Sequence, residues 1–197
     1  MTLFIGLTGG IGAGKSEALA AFERAGAATL STDRVAHEVL DSDEVRDALV
    51  ERWGAEIAPG GRVDRDRVAE HVFERPDELK WLESLTHPRV GAAVWEWRQG
   101  LGPEVEFGVV EVPLLFEAGM EEAFDLTVAV IAEDGIRDDR LAARGHAGRE
   151  GREERQLGQA EKADRAHHVV RNDGTLEDLD AAVRAVLAEL AAEREPG

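Results

Sequence analysis

The feature that most constrains this chain is "GGIGAGKS", Gly9 to Ser16, set directly behind the apolar run "LFIGL" and directly ahead of "SEALAAFERAG". It fills every fixed position of G-x-x-x-x-G-K-[ST]. Glycines at this spacing let backbone N–H groups turn inward around phosphate oxygens, and the helix that follows presents the positive end of its dipole to the same oxygens. Lys15 is then placed to bridge the β- and γ-phosphates, and the Ser16 hydroxyl to ligate Mg²⁺. The competing reading is a glycine-rich turn that binds nothing, and the strand and helix flanking the loop argue against it. The ligand expected is a nucleoside triphosphate.

The rest of the chain alternates strand and helix signals. "LFIGL" reads as a buried strand, and "SEALAAFERAG" has helical spacing at Leu19, Phe22 and Ala25 with Gly26 as its C-cap. "AATL" predicts a second strand ending near Ser31. From Arg34 to about Gly100 the pattern is helical, broken by the turn signals "APGGR" and "RPDE". That is long for a crossover between strands, so it reads as a helical insertion, 34–100. "EFGVVEVPLLFE", ended by Pro113, and "LTVAVIA" are the continuous apolar runs of strands at a sheet centre. "HHVVRNDG" is a short strand and a turn. The tail "LEDLDAAVRAVLAELAAE" is an amphipathic helix with Leu176, Leu179, Val183, Leu187 and Leu190 on or near one face. The fold expected is one α/β domain over 1–197 of the P-loop NTPase kind, three layers α/β/α around a mainly parallel sheet. It carries the helical insertion and a helical lid over 137–158.

Composition narrows the class of function. A chain of 197 residues suits one folding unit with embellishments. No apolar run approaches the roughly 20 residues of a membrane span. The start "MTLFIGLTGG" has neither the basic region nor the cleavage site of a signal peptide, so a cytoplasmic enzyme is expected. The absence of cysteine excludes disulfides, thiolate zinc sites and a cysteine nucleophile. A formal net charge of -18 argues against nucleic acid and anionic membranes as partners. Nearly all the positive charge is arginine, the lysines being Lys15, Lys80 and Lys162.

Three features bear on what accepts the phosphoryl group. Asp33 stands at the end of the second predicted strand, where ligands bind in open parallel sheets, and could take a proton from an attacking hydroxyl. It also suits the N-cap of a helix beginning at Arg34. Glu111 ends the run "FGVVEV", and an acid in so apolar a setting asks for a partner such as Mg²⁺ held through water. Arg137, Arg140 and Arg144 fall on one helical face, "GHAG" interrupts, and Arg149, Arg152 and Arg155 follow. Two basic arms on a glycine hinge make a lid that excludes water and favours transfer to a hydroxyl. The plainer alternative is a solvated face paired with Glu150, Glu153 and Glu154. The histidines form no metal-binding spacing. His167 and His168 suit packing or surface, His87 and Pro88 look like N-cap and N1 of a helix, and Trp95 and Trp97 suit the core or the insertion's surface. A GTP-dependent switch would need N-K-x-D and D-x-x-G, and the chain has neither.

With "GLTGGIGAGKS", "STDRVAHEVL", "LTHPRV", "VPLLFE" and "QLGQAEKADRAHHVVRNDGTLEDL" in this order, the chain resembles the dephospho-coenzyme A kinases over nearly its whole length. The resemblance implies an ATP- and Mg²⁺-dependent phosphorylation of the ribose 3′-hydroxyl of dephospho-coenzyme A. It implies nucleotide contacts at Gly10, Ile11, Gly12, Ala13, Gly14, Lys15, Ser16, Glu17, Asn172 and Gly174. Asp33 takes the role of general base, and His87, Pro88, Arg89 and Leu114 join it around the acceptor. Arg140 and Arg144 match lid arginines, with Arg152 and Gln156 as the R-x-x-x-Q that follows. Metal contacts fall to Ser16 and, through water, Glu111. A monomer or weak homo-oligomer is expected. The chain departs from the family's usual residues at Ser31, where an aspartate is common, at Glu111, where an aspartate is usual, and at Arg171, where an acid is usual. The alternatives are another small-molecule or nucleotide kinase, or a non-catalytic nucleotide-binding module.

Overall fold

The computed structural model describes residues 2–144 and 156–194. It divides into two compact units, one formed by Met1–Ser31 with Leu101–Gly197 and the other by Thr32–Gly100.

In the first unit, β1 (Leu3–Gly9), β2 (Ala28–Ser31), β3 (Phe107–Glu111), β4 (Leu126–Ile131) and β5 (His168–Arg171) form one parallel sheet in the order β2-β3-β1-β4-β5. β1 takes the centre, and β3 and β4 flank it. Their uninterrupted apolar composition follows, because a strand covered on both faces has no side to turn toward water. Helices α1 (Lys15–Arg24), α6 (Asp134–Arg144), α7 (Gln159–Arg165) and α8 (Leu176–Arg194) flank the sheet. Phe22 of α1 and Leu179, Val183, Leu187 and Leu190 of α8 close over Ile5, Leu7, Val109 and Val128. Burying aliphatic and aromatic side chains of this size contributes roughly 1.5–3 kcal/mol each. Gly26 follows the cap residue Ala25 with a positive φ, so the predicted stop falls one residue late.

α8 opens on a reciprocal cap. Asp178 donates its N–H to Thr175 Oγ1 at 3.2 Å, and Thr175 donates its own N–H to Asp178 Oδ2 at 2.9 Å. Leu176, predicted to share the apolar face, is 59% exposed. Its helical phase matches Val183, but the core ends before the helix does.

The second unit contains α2 (Thr32–Asp41), α3 (Asp43–Trp53), α4 (Arg65–Val72) and α5 (Pro76–Gln99), with two short 3-10 turns at Ala55–Ile57 and Pro59–Gly61. It has its own core of Val45, Leu49, Trp53, Ile57, Val63 and Val68, against which Trp81, Leu82 and Leu85 of α5 pack. The expectation that a helix begins at His87 and Pro88 is overturned: α5 runs through both. Pro76 is the proline at the start of the helix, and Pro88 is interior. An interior proline removes one backbone hydrogen bond and costs about 3 kcal/mol. The packing of Trp81, Leu82 and Leu85 of α5 against that core outweighs this. Trp95, two turns on, is 60% exposed and so belongs to the surface.

Glu78 ties α5 to α3. Its Oε2 accepts from Trp53 Nε1 at 2.7 Å and from Arg52 Nε at 2.7 Å, and the Arg52 guanidinium lies 4.4 Å from the Trp81 ring centre. The hydrogen bonds from Arg52, then those from Trp53, pull the Glu78 carboxyl from 4.5 down to about 2. A carboxyl whose pKa is lower in the folded than in the unfolded chain favours folding above its unfolded value, and loses that contribution as pH falls toward the folded one. The window here runs from about 4.5 down to about 2. In thermal unfolding followed across that window, the wild type is expected to lose melting temperature more steeply than Glu78→Gln. Parallel slopes would show that the pair does not contribute.

Candidate active site

The loop after β1 is built so that its carbonyl oxygens are occupied. Gly14, at the N-cap of α1, has φ 87, a left-handed conformation that glycine adopts without strain. A Cβ there would overlap the side-chain amide of Asn172. That amide donates to Ala13 O at 2.9 Å, and Arg140 Nη1 reaches the same oxygen at 3.4 Å. Arg140 Nη2 donates to Asn172 Oδ1 at 3.3 Å, and Arg137 Nε donates to Ile11 O at 2.9 Å while its Nη1 holds Asp134 at 2.7 Å. Oxygens that would repel a phosphate are thus engaged by cations and an amide, and α1, which starts at Lys15, turns the positive end of its dipole to the loop. Lys15 Nζ lies 3.1 Å from both Gly9 O and Gly10 O, folded back over the loop.

Ser16 and Glu111 come together, the Ser16 hydroxyl donating to Glu111 Oε1 at 3.5 Å. Glu111 is 4% exposed, and β2 and β3 pair with Ser31 directly across from it. A hydroxyl and a carboxylate are hard oxygen donors, and so small a set suits an ion that keeps several waters and takes its other ligands from phosphates. Among the described residues no group of three or more His, Cys, Asp or Glu could hold a metal. The Ser16 and Glu111 oxygens fit Mg²⁺ bound together with a nucleotide.

The other predicted residues are placed as follows. Gly10, Ile11, Gly12 and Ala13 form the loop. Glu17 turns its carboxylate along α1 to Arg24, 3.3 Å away, so its side chain belongs to a surface network with Asp180. Asn172 is buried beside the loop, whereas Gly174 is exposed in the turn ahead of α8. Leu114 is half-buried in the turn after β3. Arg144 ends α6, and its side chain lies outside what is described, as do Arg149, Arg152, Arg155 and the "GHAG" hinge. Of the predicted lid, then, Arg137 and Arg140 are the arginines whose side chains are defined, and both point at the phosphate loop.

Asp33 belongs to the second unit. It sits exposed in the first turn of α2, which begins at Thr32, so the expectation that it caps a helix starting at Arg34 is corrected. Arg89 pairs with Glu44 and, with Val35, Val39, Ser42 and Ala93, lines a cleft of about 360 Å³ within that unit. Neither His87 nor Pro88 lines it.

Sequence reasoning overlooked Lys162 and Glu117. Lys162 of α7 is fully buried, with Nζ 2.6 Å from Pro113 O, 2.9 Å from Glu117 Oε1 and 3.4 Å from Thr8 Oγ1. Desolvation lowers its pKa, and the Glu117 carboxylate opposes that shift. The available signal was its rarity: a chain that uses arginine for nearly every cation keeps a lysine where only a compact ammonium fits.

No helix among the described residues is long and apolar enough to cross a membrane. A sequence model of the family described as dephospho-CoA kinase matches residues 3–178. The dephospho-CoA kinase of Thermus thermophilus is 38% identical over 191 residues, spanning 95% of this chain and 92% of that protein. A crystal structure of a Thermus thermophilus protein, 38% identical, superposes with a TM-score of 0.80 over 96% of this chain and 98% of its own. The dephospho-CoA kinase of Campylobacter jejuni, 23% identical, superposes with a TM-score of 0.73 over 99% of this chain and all (100%) of its own, and so shows the same fold. The chain belongs to the dephospho-CoA kinase family.

Proposed function

We propose that this protein transfers the γ-phosphoryl group of ATP to the ribose 3′-hydroxyl of dephospho-coenzyme A, giving coenzyme A and ADP, the last step of coenzyme A biosynthesis. The observation that carries the reading is the phosphate loop with its Ser16–Glu111 pair at 3.5 Å, in a chain that matches the family from residue 3 to residue 178. Phosphoryl transfer is mostly positioning and charge stabilisation, which is what this loop and its arginines offer.

In this reading the N–H groups of Gly12 to Ser16 and the Lys15 ammonium grip the phosphates. Ser16 and, through water, Glu111 would hold Mg²⁺, which would supply positive charge against the phosphates. Arg140 and Arg144 stabilise charge on the transferring group, and Arg140 must leave Ala13 O and Asn172 to do so. Asn172 and Gly174 lie toward the adenine. Asp33 accepts the proton of the attacking hydroxyl, and His87, Pro88, Arg89 and Leu114 belong to the acceptor side. A cytoplasmic location accords with a metabolic kinase family.

The test is ADP release measured with ATP and Mg²⁺, with and without dephospho-coenzyme A, and with adenosine, AMP and shikimate as control acceptors. Turnover is expected with dephospho-coenzyme A. Turnover with a control acceptor instead would overturn the acceptor, and ATP binding without acceptor-dependent turnover would make the chain a nucleotide-binding module.

A further inference from the structure

Lys162 is a buried cation for which the mechanism above has no use. Its ammonium has three N–H donors, and Pro113 O, Glu117 Oε1 and Thr8 Oγ1 surround it at 2.6, 2.9 and 3.4 Å. Thr8 immediately precedes the phosphate loop at the end of β1. Pro113 stands two residues beyond Glu111 at the exit of β3. The two exits are also bonded directly, Thr8 Oγ1 to Pro113 O at 3.3 Å and Val112 N to Leu7 O at 2.8 Å. One side chain from α7 therefore fastens the strand that leads into Ser16 to the strand that ends in Glu111.

Stability alone is a poor explanation for this arrangement. An ion pair taken out of water gains back little more than its desolvation cost, and a well-packed apolar pair of similar volume is commonly as stable. Among the described residues Glu117 is not fully satisfied: its Oε1 accepts from both Lys162 and Leu157 N, the latter at 2.8 Å, while its buried Oε2 meets no partner there. What the ammonium supplies that methylenes cannot is a fixed distance between two backbone exits.

We propose that Lys162 is a positioning residue for phosphoryl transfer: by clamping the ends of β1 and β3 it sets the separation of Ser16 and Glu111, and with it the Mg²⁺ requirement of the enzyme. This rests on the reading of Ser16 and Glu111 as the metal-holding pair. Without the clamp the Pro113 carbonyl loses its 2.6 Å bond from Lys162 and keeps the longer 3.3 Å bond from Thr8 Oγ1, so Glu111 shifts relative to Ser16 and the ion is held less well although the loop still binds nucleotide.

The experiment compares wild type, Glu111→Gln, Lys162→Met and the double variant Lys162→Met with Glu117→Gln. The double variant removes both charges, so that misfolding from an unpaired buried carboxylate does not decide the result. Melting temperature, affinity for a fluorescent ATP analogue in EDTA, its affinity as Mg²⁺ is titrated, and the Mg²⁺ dependence of kcat are measured. The double variant is expected to keep its cooperative unfolding and metal-free nucleotide affinity but to need about tenfold more Mg²⁺, the scale seen when groups supporting a metal ligand are removed. A wild-type Mg²⁺ requirement in the double variant, with Glu111→Gln altered, overturns the clamp and leaves the metal pair standing. A loss of nucleotide affinity in EDTA that accounts for the whole defect also overturns it, since Lys162 would then support the loop and not the metal. An unaltered Mg²⁺ requirement in Glu111→Gln overturns the metal reading and this proposal together.

Discussion

Lys15→Met is expected to lower kcat about 10²- to 10³-fold, the effect of removing one preorganised donor to developing charge, with little change in melting temperature. The reason lies in where the ammonium rests: its bonds to Gly9 O and Gly10 O, both 3.1 Å, are to carbonyls of the loop itself. These keep the cation at the mouth of the loop and form no part of the hydrophobic core. Methionine retains the stem and loses the charge. Steady-state kinetics with both substrates separate the possibilities. A fall in kcat and kcat/KM together marks an interaction made in the transition state, whereas a rise in KM alone would confine Lys15 to gripping ground-state ATP and refute its stabilising the transition state.

Asp33→Asn is expected to lower kcat about 10²- to 10⁴-fold, the range for loss of a general base, while ATP affinity stays that of the wild type. Asparagine preserves shape and one hydrogen-bond acceptor but does not take the proton. The same carboxylate also lies in the first turn of α2, where a negative charge is favoured by about 0.3–1 kcal/mol. A small drop in melting temperature therefore belongs to the helix and not to the chemistry. Near-normal turnover in a protein with that small drop would return Asp33 to a purely structural role and reopen the search for the base.

These two residues stand out in the sequence because each is marked by local pattern: Lys15 by the glycines before it, Asp33 by its place after a strand. The centre of the sheet was legible for a related reason. β3 and β4 are too apolar to be anything but interior, and β1 must lead into the loop. Pro88 was misplaced because the rule that puts proline at a helix start is local, while the packing of Trp81, Leu82 and Leu85 that carries α5 through it is not. Leu176 shows the same limit from the other side: angular phase says which face a residue takes, not how far the core extends along the helix. Lys162 and Glu117 were invisible because Lys162 lies more than forty positions in sequence from each of its partners, Thr8, Pro113 and Glu117, and meets them only when β1, β3 and α7 are assembled. Pairing of Arg137 with Ile11 O, across 126 positions, was foreseen only as a basic face near phosphates.

The central position of β1 has a consequence for how the chain is made. Its neighbours are Phe107–Glu111 and Leu126–Ile131, so β1 leaves the ribosome long before either partner, with the whole stretch from Gly10 to Glu106 made in between. At about 5–20 residues per second, that is a delay on the order of ten seconds. Meanwhile the intervening helices, which bring their own core around Trp53, can already condense. The nascent phosphate loop is thus unformed while the helical unit is taking shape, and nucleotide can stabilise the protein only once the later strands have closed around its opening residues.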